Sequence, residues 1–153
     1  MSLPLMLAVL FICGALVFYT IGVMWERHEG ELRPIHFLFF ILGVTCDTIG
    51  TSFMGSFSQG GMSPHLITGA VGLALMAIHA IWAAGVLLLK SERAKHWFHK
   101  FSIAVWLFWL IPFSSGMLMG LPMIALGDIQ SILAAVAIAA IMALIVLRKP
   151  RKA

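Results

Sequence analysis

Residues 63–89 read SPHLITGAVGLALMAIHAIWAAGVLLL, and this stretch decides the fold. It carries no charged residue from Ile67 to Leu89, which is long enough for a helix that crosses a bilayer. It carries two histidines, His65 and His79, which are fourteen positions apart. At about 100° per residue, this separation returns them to nearly the same helix face. The stripe at helical spacing consists of His65, Gly69, Gly72, Met76 and His79. Because an imidazole inside a membrane helix is costly, the stripe indicates function, and its glycines allow a flat group or another backbone to approach closely.

Composition extends this interpretation to the whole chain. Of 153 residues, 61% are hydrophobic and 10% are charged, whereas a soluble domain carries about 25% charged residues. Apolar runs of near-spanning length recur along the chain, at approximately 3–24, 34–57, 66–89, 101–121 and 129–147. These runs are continuous, whereas a β-barrel needs alternating apolar and polar positions. We therefore predict an all-α fold, a polytopic membrane helical bundle with five transmembrane helices, forming a single integral membrane domain over residues 1–153.

The positive charges predict the orientation of the bundle. The Lys and Arg residues lie in three segments, 27–33, 90–100 and 148–152, and the segments at the opposite ends of the spans carry none. This is the positive-inside pattern, and it places the N-terminus outside and the C-terminus in the cytoplasm. The net charge of +4 therefore reflects the membrane and not a nucleic-acid partner. The first span lacks a basic n-region and a cleavage site, so we expect a retained helix and not a signal peptide.

The second span carries a polar stripe of its own. The residues that share this face are His36, Phe40, Gly43, Asp47, Gly50 and Met54. An unpaired aspartate at the depth of Asp47 is expensive, so we expect a partner, and His79 lies at a similar depth. Cys13 and Cys46 lie mid-span without a CxxC motif, so neither a disulfide nor a metal framework is expected.

The third and fourth spans are joined by a short connection that brings another histidine to the same level. Ser91 followed by Glu92 resembles a helix start, so the fourth helix is expected to begin before its apolar run. Counting outward along the two antiparallel helices puts His79 and His99 within about 5 Å of the same depth. His99 shares a face with Ile103, Trp106 and Phe113, and Pro112 is expected to kink the helix.

Haem fits this set of residues better than zinc does. No HxxxH or HExxH pair supplies two zinc ligands on one helix turn, whereas haem iron can be held by imidazoles from two facing helices. We expect packing against the macrocycle from Gly43, Gly69, Gly72, Phe40, Trp82 and Trp106. We expect contacts to the propionates from Lys95, Lys100 and Arg33. The residues alone leave two alternatives open, which are proton or ion passage through Asp47 and His79, and structural hydrogen bonding between helices.

Several segments resemble the HsmA-type haem-sensing membrane protein family. They are YTIGVMWER at 19–27, CDTIGTSFM at 46–54, ITG at 67–69, MAIHAIWA at 76–83 and FHKFSIAVWLFWLIPFSSGM at 98–117. The resemblance covers about Leu3–Gly120. It implies a four-span bacterial membrane protein that binds haem and sequesters its excess, often under a haem-responsive regulator. The polar positions of the family fall on His36, Asp47, His65, His79 and His99, and the fifth span lies beyond the family pattern.

Taken together, these observations predict a haem-binding protein of the bacterial cytoplasmic membrane that serves haem tolerance or haem sensing. One b-type haem is expected between spans two, three and four, with His79 and His99 as axial ligands. His36 is the substitute ligand, and His65 is the last candidate. Asp47 is expected to hydrogen-bond a ligand imidazole.

Other functions stay open at this point. A b-type cytochrome that transfers electrons would use the same ligands, and a proton-coupled carrier would use Asp47 and His79. No activated nucleophile or acid–base pair is recognisable, so an enzyme is not expected. The fifth span could serve a homo-oligomer or a membrane partner.

Overall fold

The computed structural model describes residues 3–56, 63–89, 92–120 and 126–148, and these ranges form an all-helical bundle. The helices are α1 (Leu3–Glu29), α2 (Pro34–Gly55), α3 (Pro64–Leu89), α4 (Glu92–Gly120) and α5 (Asp128–Leu147). All five are long and apolar enough to cross a membrane. The predicted helical class and the five apolar helices are confirmed.

The helix boundaries follow local sequence signals. Pro34 opens α2, where its missing N–H costs no intrahelical hydrogen bond. Helix α4 begins at Glu92, well before the apolar run at 101, as the polar start of that segment predicted. It continues through Pro112 to Gly120. The predicted cap at Ser91 lies outside the described residues.

The first four helices form the core of the molecule. Each helix contacts the next along the chain, and α1 also contacts α4. The largest buried side chains of this core are Trp106, Tyr19, Phe40, Phe98 and Met76. Helix α5 packs against α4 and α3, and its buried residues are the small Ser131, Ala135 and Ala139. Small residues let helices approach closely in lipid, where apolar side chains gain little by leaving the hydrocarbon.

The predicted stripes face the interior. On α2 the buried residues are His36, Phe40, Gly43, Asp47 and Gly50, which is the predicted face without its last member, since Met54 is 40% exposed. On α3 the stripe members Gly72, Met76 and His79 are buried. The helical period of the sequence therefore identified the inward faces of both helices.

Candidate functional site

A cluster of histidine and glutamate side chains lies where the C-terminal end of α1 meets the N-terminal parts of α2 and α4. We call this the basic end of the bundle, because Arg27, Arg33 and Lys95 lie there. Its central contact joins His99 on α4 to Glu26 on α1. The Nδ1 atom of His99 lies 3.0 Å from Oε1 and 3.1 Å from Oε2 of Glu26. The Glu26 side chain is 2% exposed and that of His99 is 33% exposed. A buried carboxylate needs such a partner.

His36 lies at the same end but caps its own helix. Its Nδ1 accepts a hydrogen bond from the backbone N–H of Arg33 at 3.1 Å. Its Nε2 lies 3.4 Å from Oε2 of Glu29, although neither atom makes a hydrogen bond. The ring of Trp25 packs edge-on at 5.3 Å between centroids. Both ring nitrogens of this fully buried histidine are therefore directed at protein groups.

His79 is enclosed between α3 and α4. Its Nε2 lies 3.0 Å from the hydroxyl of Ser102, and its Nδ1 is buried without a hydrogen-bond partner. The imidazole stacks on Phe98 with ring centroids 5.0 Å apart and planes inclined by 10°. Phe40 covers it from α2 at 4.4 Å. The polar ring is thus held in an aromatic enclosure.

The levels of His79 and His99 agree with the prediction, but the rings do not face each other across a gap. Ser102, which contacts His79, lies one helical turn beyond His99 on α4, about 4.5 Å along the axis. At this level α3 and α4 touch directly through the His79–Ser102 contact and the His79–Phe98 stack. A macrocycle between the two imidazoles would require these helices to separate.

Asp47 has partners other than the predicted one. Its Oδ2 accepts a hydrogen bond from Nε1 of Trp109 at 2.7 Å and one from the hydroxyl of Tyr19 at 3.4 Å. The two aromatic rings meet edge-on at 5.0 Å. His79 bonds to Ser102 instead, so Asp47 is not paired with the imidazole that depth suggested as its partner. The indole N–H provides the interior donor that the carboxylate requires.

His65 is a packing residue near the far end of the bundle. Its Nδ1 lies 3.0 Å from Oγ of Ser115, and that hydroxyl donates to the carbonyl of Pro112 at 3.1 Å. Since a serine has one hydroxyl proton, Nδ1 of His65 is the donor to Oγ. A Cβ on Gly116 would lie 2.9 Å from the imidazole, so the absence of a side chain at Gly116 admits the ring. His65 therefore lies at the other end of the bundle from His99 and from the cations of the basic end.

Two of the three glycines expected to pack against haem contact the protein itself. A Cβ on Gly43 would lie 2.4 Å from ring atoms of Tyr19. A Cβ on Gly72 would lie 3.2 Å from Pro112 and 3.4 Å from Trp109. Gly69 has nothing within 4 Å of its hypothetical Cβ. In this packing, aromatic and proline rings of the protein therefore occupy the positions next to Gly43 and Gly72.

The aromatic residues expected to line the haem differ in their surroundings. Trp106 is 2% exposed, and its Nε1 donates to Thr20 on α1 at 3.2 Å. Trp82 is 36% exposed and packs against Phe101 with centroids 4.8 Å apart. Only the second of these two tryptophans therefore offers a surface that a ligand can reach without repacking.

The cations expected to meet the propionates already lie near other groups. Nη1 of Arg33 is 3.3 Å from Glu29, and Nζ of Lys95 is 4.0 Å from Glu31. Nζ of Lys100 lies over the ring of Trp97, 5.6 Å from its centroid. Because such exposed pairs are weak, an anionic ligand could compete for these cations.

These contacts decide how well haem fits the residues present. The described residues contain no group of three or more His, Cys, Asp or Glu side chains arranged to hold a metal ion, so an iron centre would depend on single imidazoles and its own macrocycle. His79 does not fit that role as packed, since it is enclosed. His99 does fit, because a carboxylate holds one ring nitrogen and the side chain reaches the surface. A metal-bound histidine characteristically has its other nitrogen bonded in this way.

Glu26 is the residue of this site that sequence reasoning missed. It is the first charged residue after the apolar part of α1 and lies three positions before Glu29, so both carboxylates project from one face of the helix. The position of Glu26 at the end of the apolar run, on the same helix face as Glu29, is the sequence feature that could have identified it. Comparison with known proteins adds no further candidate, since no protein-family model matches the chain and no curated protein or solved structure is significantly similar to it.

Proposed function

We propose that this chain is a membrane haem-binding protein whose protein ligand is His99, at the basic end of the bundle. The observation that supports this proposal most directly is the placement of Nδ1 of His99 at 3.0 and 3.1 Å from the two oxygens of a buried carboxylate. The resemblance of five segments to HsmA-type proteins supports the same cofactor. Bound b-type haem would supply an iron centre whose absorption spectrum reports its ligands.

The order of the ligand candidates follows from the packing. His99 comes first because its side chain is partly exposed, whereas His79 and His36 are fully buried. His79 would become a ligand only if its contact with Ser102 broke and α3 and α4 moved apart. Arg33, Lys95 and Lys100 lie at the same end as His99, so a cofactor bound there would place its carboxylates among cations.

The positive-inside pattern orients the protein in the bacterial cytoplasmic membrane. It places the basic end, and with it His99, on the cytoplasmic side. Haem held there would be removed from the cytoplasmic pool, which suits haem sequestration, haem tolerance or haem sensing.

The test is a titration of haem into the full-length protein, purified in detergent. Wild-type protein should develop a sharp Soret band, and His99→Ala should lose it or bind far more weakly. His96→Ala is the matched control, because His96 lies one helical turn away on the same helix and is exposed. The proposal fails if the wild type gives no Soret band, or if His99→Ala and His96→Ala bind haem equally well.

The purified protein also distinguishes haem sequestration or sensing from the two alternative functions, electron transfer and proton-coupled transport. An electron-transfer cytochrome would have the same ligand and would also be reduced reversibly by a membrane donor. A proton-coupled carrier based on an Asp47–His79 pair is less well supported, because each of these residues bonds to a different partner.

A further inference from the structure

The buried carboxylate of Glu26 contacts one atom of one imidazole. Both of its oxygens lie within hydrogen-bond distance of Nδ1 of His99, and Glu26 is 2% exposed. The two residues are 73 positions apart in the chain. The contact therefore joins α1 to α4 and fixes the orientation of the imidazole from outside its own helix.

This contact determines which ring nitrogen is left for a ligand. Both carboxylate oxygens lie at nearly equal distances from Nδ1 of His99, as expected for one N–H shared between two acceptors, so we assign the proton to Nδ1. In the neutral imidazole the lone pair is then on Nε2, the nitrogen that Glu26 does not contact. Carboxylates that hold a metal-binding histidine in this way set its tautomer and raise its basicity.

The other histidines considered as ligands lack this arrangement. His36 accepts from the backbone at Nδ1 and does not make a hydrogen bond to Glu29. His79 and His65 contact the hydroxyls of serines. The contact with a candidate ligand imidazole that the sequence predicted for Asp47 is therefore made by Glu26, to His99.

We propose that Glu26 is the positioning residue of the haem site, holding His99 in the Nδ1–H tautomer with Nε2 available to iron. This inference rests on the proposed function. It predicts that removing the charge of Glu26 weakens haem binding by about 10- to 100-fold, as is typical when such an outer contact is lost. It also predicts a higher reduction potential, because a less basic imidazole stabilises ferric iron less.

The test compares Glu26→Gln with Glu29→Gln. Glutamine keeps the shape and an accepting oxygen but removes the charge, and Glu29 lies one turn away on the same helix. Haem affinity is measured by Soret titration and the reduction potential by spectroelectrochemistry. Glu26→Gln should bind more weakly and have a higher potential, whereas Glu29→Gln, which removes a partner of Arg33 and not of His99, should bind at least as tightly as the wild type with an unchanged potential. Wild-type affinity and potential in Glu26→Gln would overturn the inference while leaving the haem proposal intact.

A measurement on the haem-free wild type keeps the inference testable if Glu26→Gln does not fold. The ¹⁵N NMR spectrum of protein with ¹⁵N-labelled histidine, in detergent, should show His99 as the Nδ1–H tautomer. The signals of His99 are assigned by their absence from the spectrum of His99→Asn. An Nε2–H tautomer at His99 would overturn the positioning role. Failure of the folded wild type to bind haem would overturn the proposed function and this inference together.

Discussion

Replacing Gly43 by alanine should destabilise the bundle, although alanine is the better helix former. A Cβ at this position would lie 2.4 Å from Cδ1 and Cε1 of Tyr19. Ordinary contact between carbon atoms begins about 1 Å farther out. Tyr19 is fully buried, packs against Trp109 and donates to Asp47, so it cannot move without disturbing both contacts. Overpacking of this kind costs about 1–3 kcal/mol.

Gly69→Ala provides the matched control for this substitution. Nothing lies within 4 Å of a Cβ built at Gly69, so the same chemical change on α3 meets no neighbour. Alanine removes the conformational freedom of glycine and favours a helix by about 1 kcal/mol in water. We therefore expect Gly69→Ala to be at least as stable as the wild type.

The assay is reversible unfolding of the purified protein in mixed micelles, with the denaturing detergent SDS as titrant and far-UV circular dichroism as the readout. The midpoint of Gly43→Ala should fall well below that of the wild type, and the midpoint of Gly69→Ala should not. Equal midpoints for the two variants would refute the argument that Gly43 admits the ring of Tyr19. In that case Gly43 would again be a candidate for contact with a macrocycle.

Two further predictions concern the buried carboxylate and the orientation in the membrane. Asp47→Ala should lower the free energy of unfolding by about 1–3 kcal/mol, because it leaves the buried N–H of Trp109 without an acceptor; Asp47→Asn keeps an accepting oxygen and should lose less in the same SDS titration, so equal losses would contradict this account. With both native cysteines replaced, a cysteine at the exposed position of His28 should react with an impermeant maleimide in inverted vesicles and not in intact cells. Labelling of this cysteine in intact cells would contradict the proposed orientation.

The sequence predicted the faces of the helices well because a helical period is a local property. His36, Phe40, Gly43, Asp47 and Gly50 recur at helical spacing, and all five are buried on α2. Their positions follow from the geometry of a single helix, without knowledge of its neighbours. The helical period therefore predicts the interior positions of His36 and Asp47 correctly.

The partners of these residues could not be predicted because they depend on the rotation of one helix against another. Depth alone favoured a pair between Asp47 and His79, but the helices rotate so that Trp109 reaches the aspartate and Ser102 reaches the histidine. The sequence gives no indication of a partner for Glu26, although this residue is buried against a histidine 73 positions later. A count of depth gives one coordinate of a contact, and the missing coordinate is the angle around each helix axis.

The same limit explains the glycines. Sequence identifies Gly43 as a place without a side chain, but it does not identify what fills that place. A porphyrin and the ring of Tyr19 are both flat and apolar, so a glycine opposite either one satisfies the same pattern. The distinction came from the neighbouring helix, where the tyrosine ring occupies the space.

Helix α4 connects the polar contacts of the whole core. Going outward from the basic end, its residues His99, Ser102, Trp106, Trp109 and Ser115 each bond to another helix. Their partners lie on α1, α2 and α3. In lipid an apolar surface gains little by turning from the hydrocarbon to a neighbouring helix, so apolar packing alone selects a register weakly. A polar side chain at each level allows only one partner to satisfy it, and these contacts therefore fix how α1, α2 and α3 are placed around α4. The His99–Glu26 contact belongs to this series, and it is the member that joins a histidine to a carboxylate.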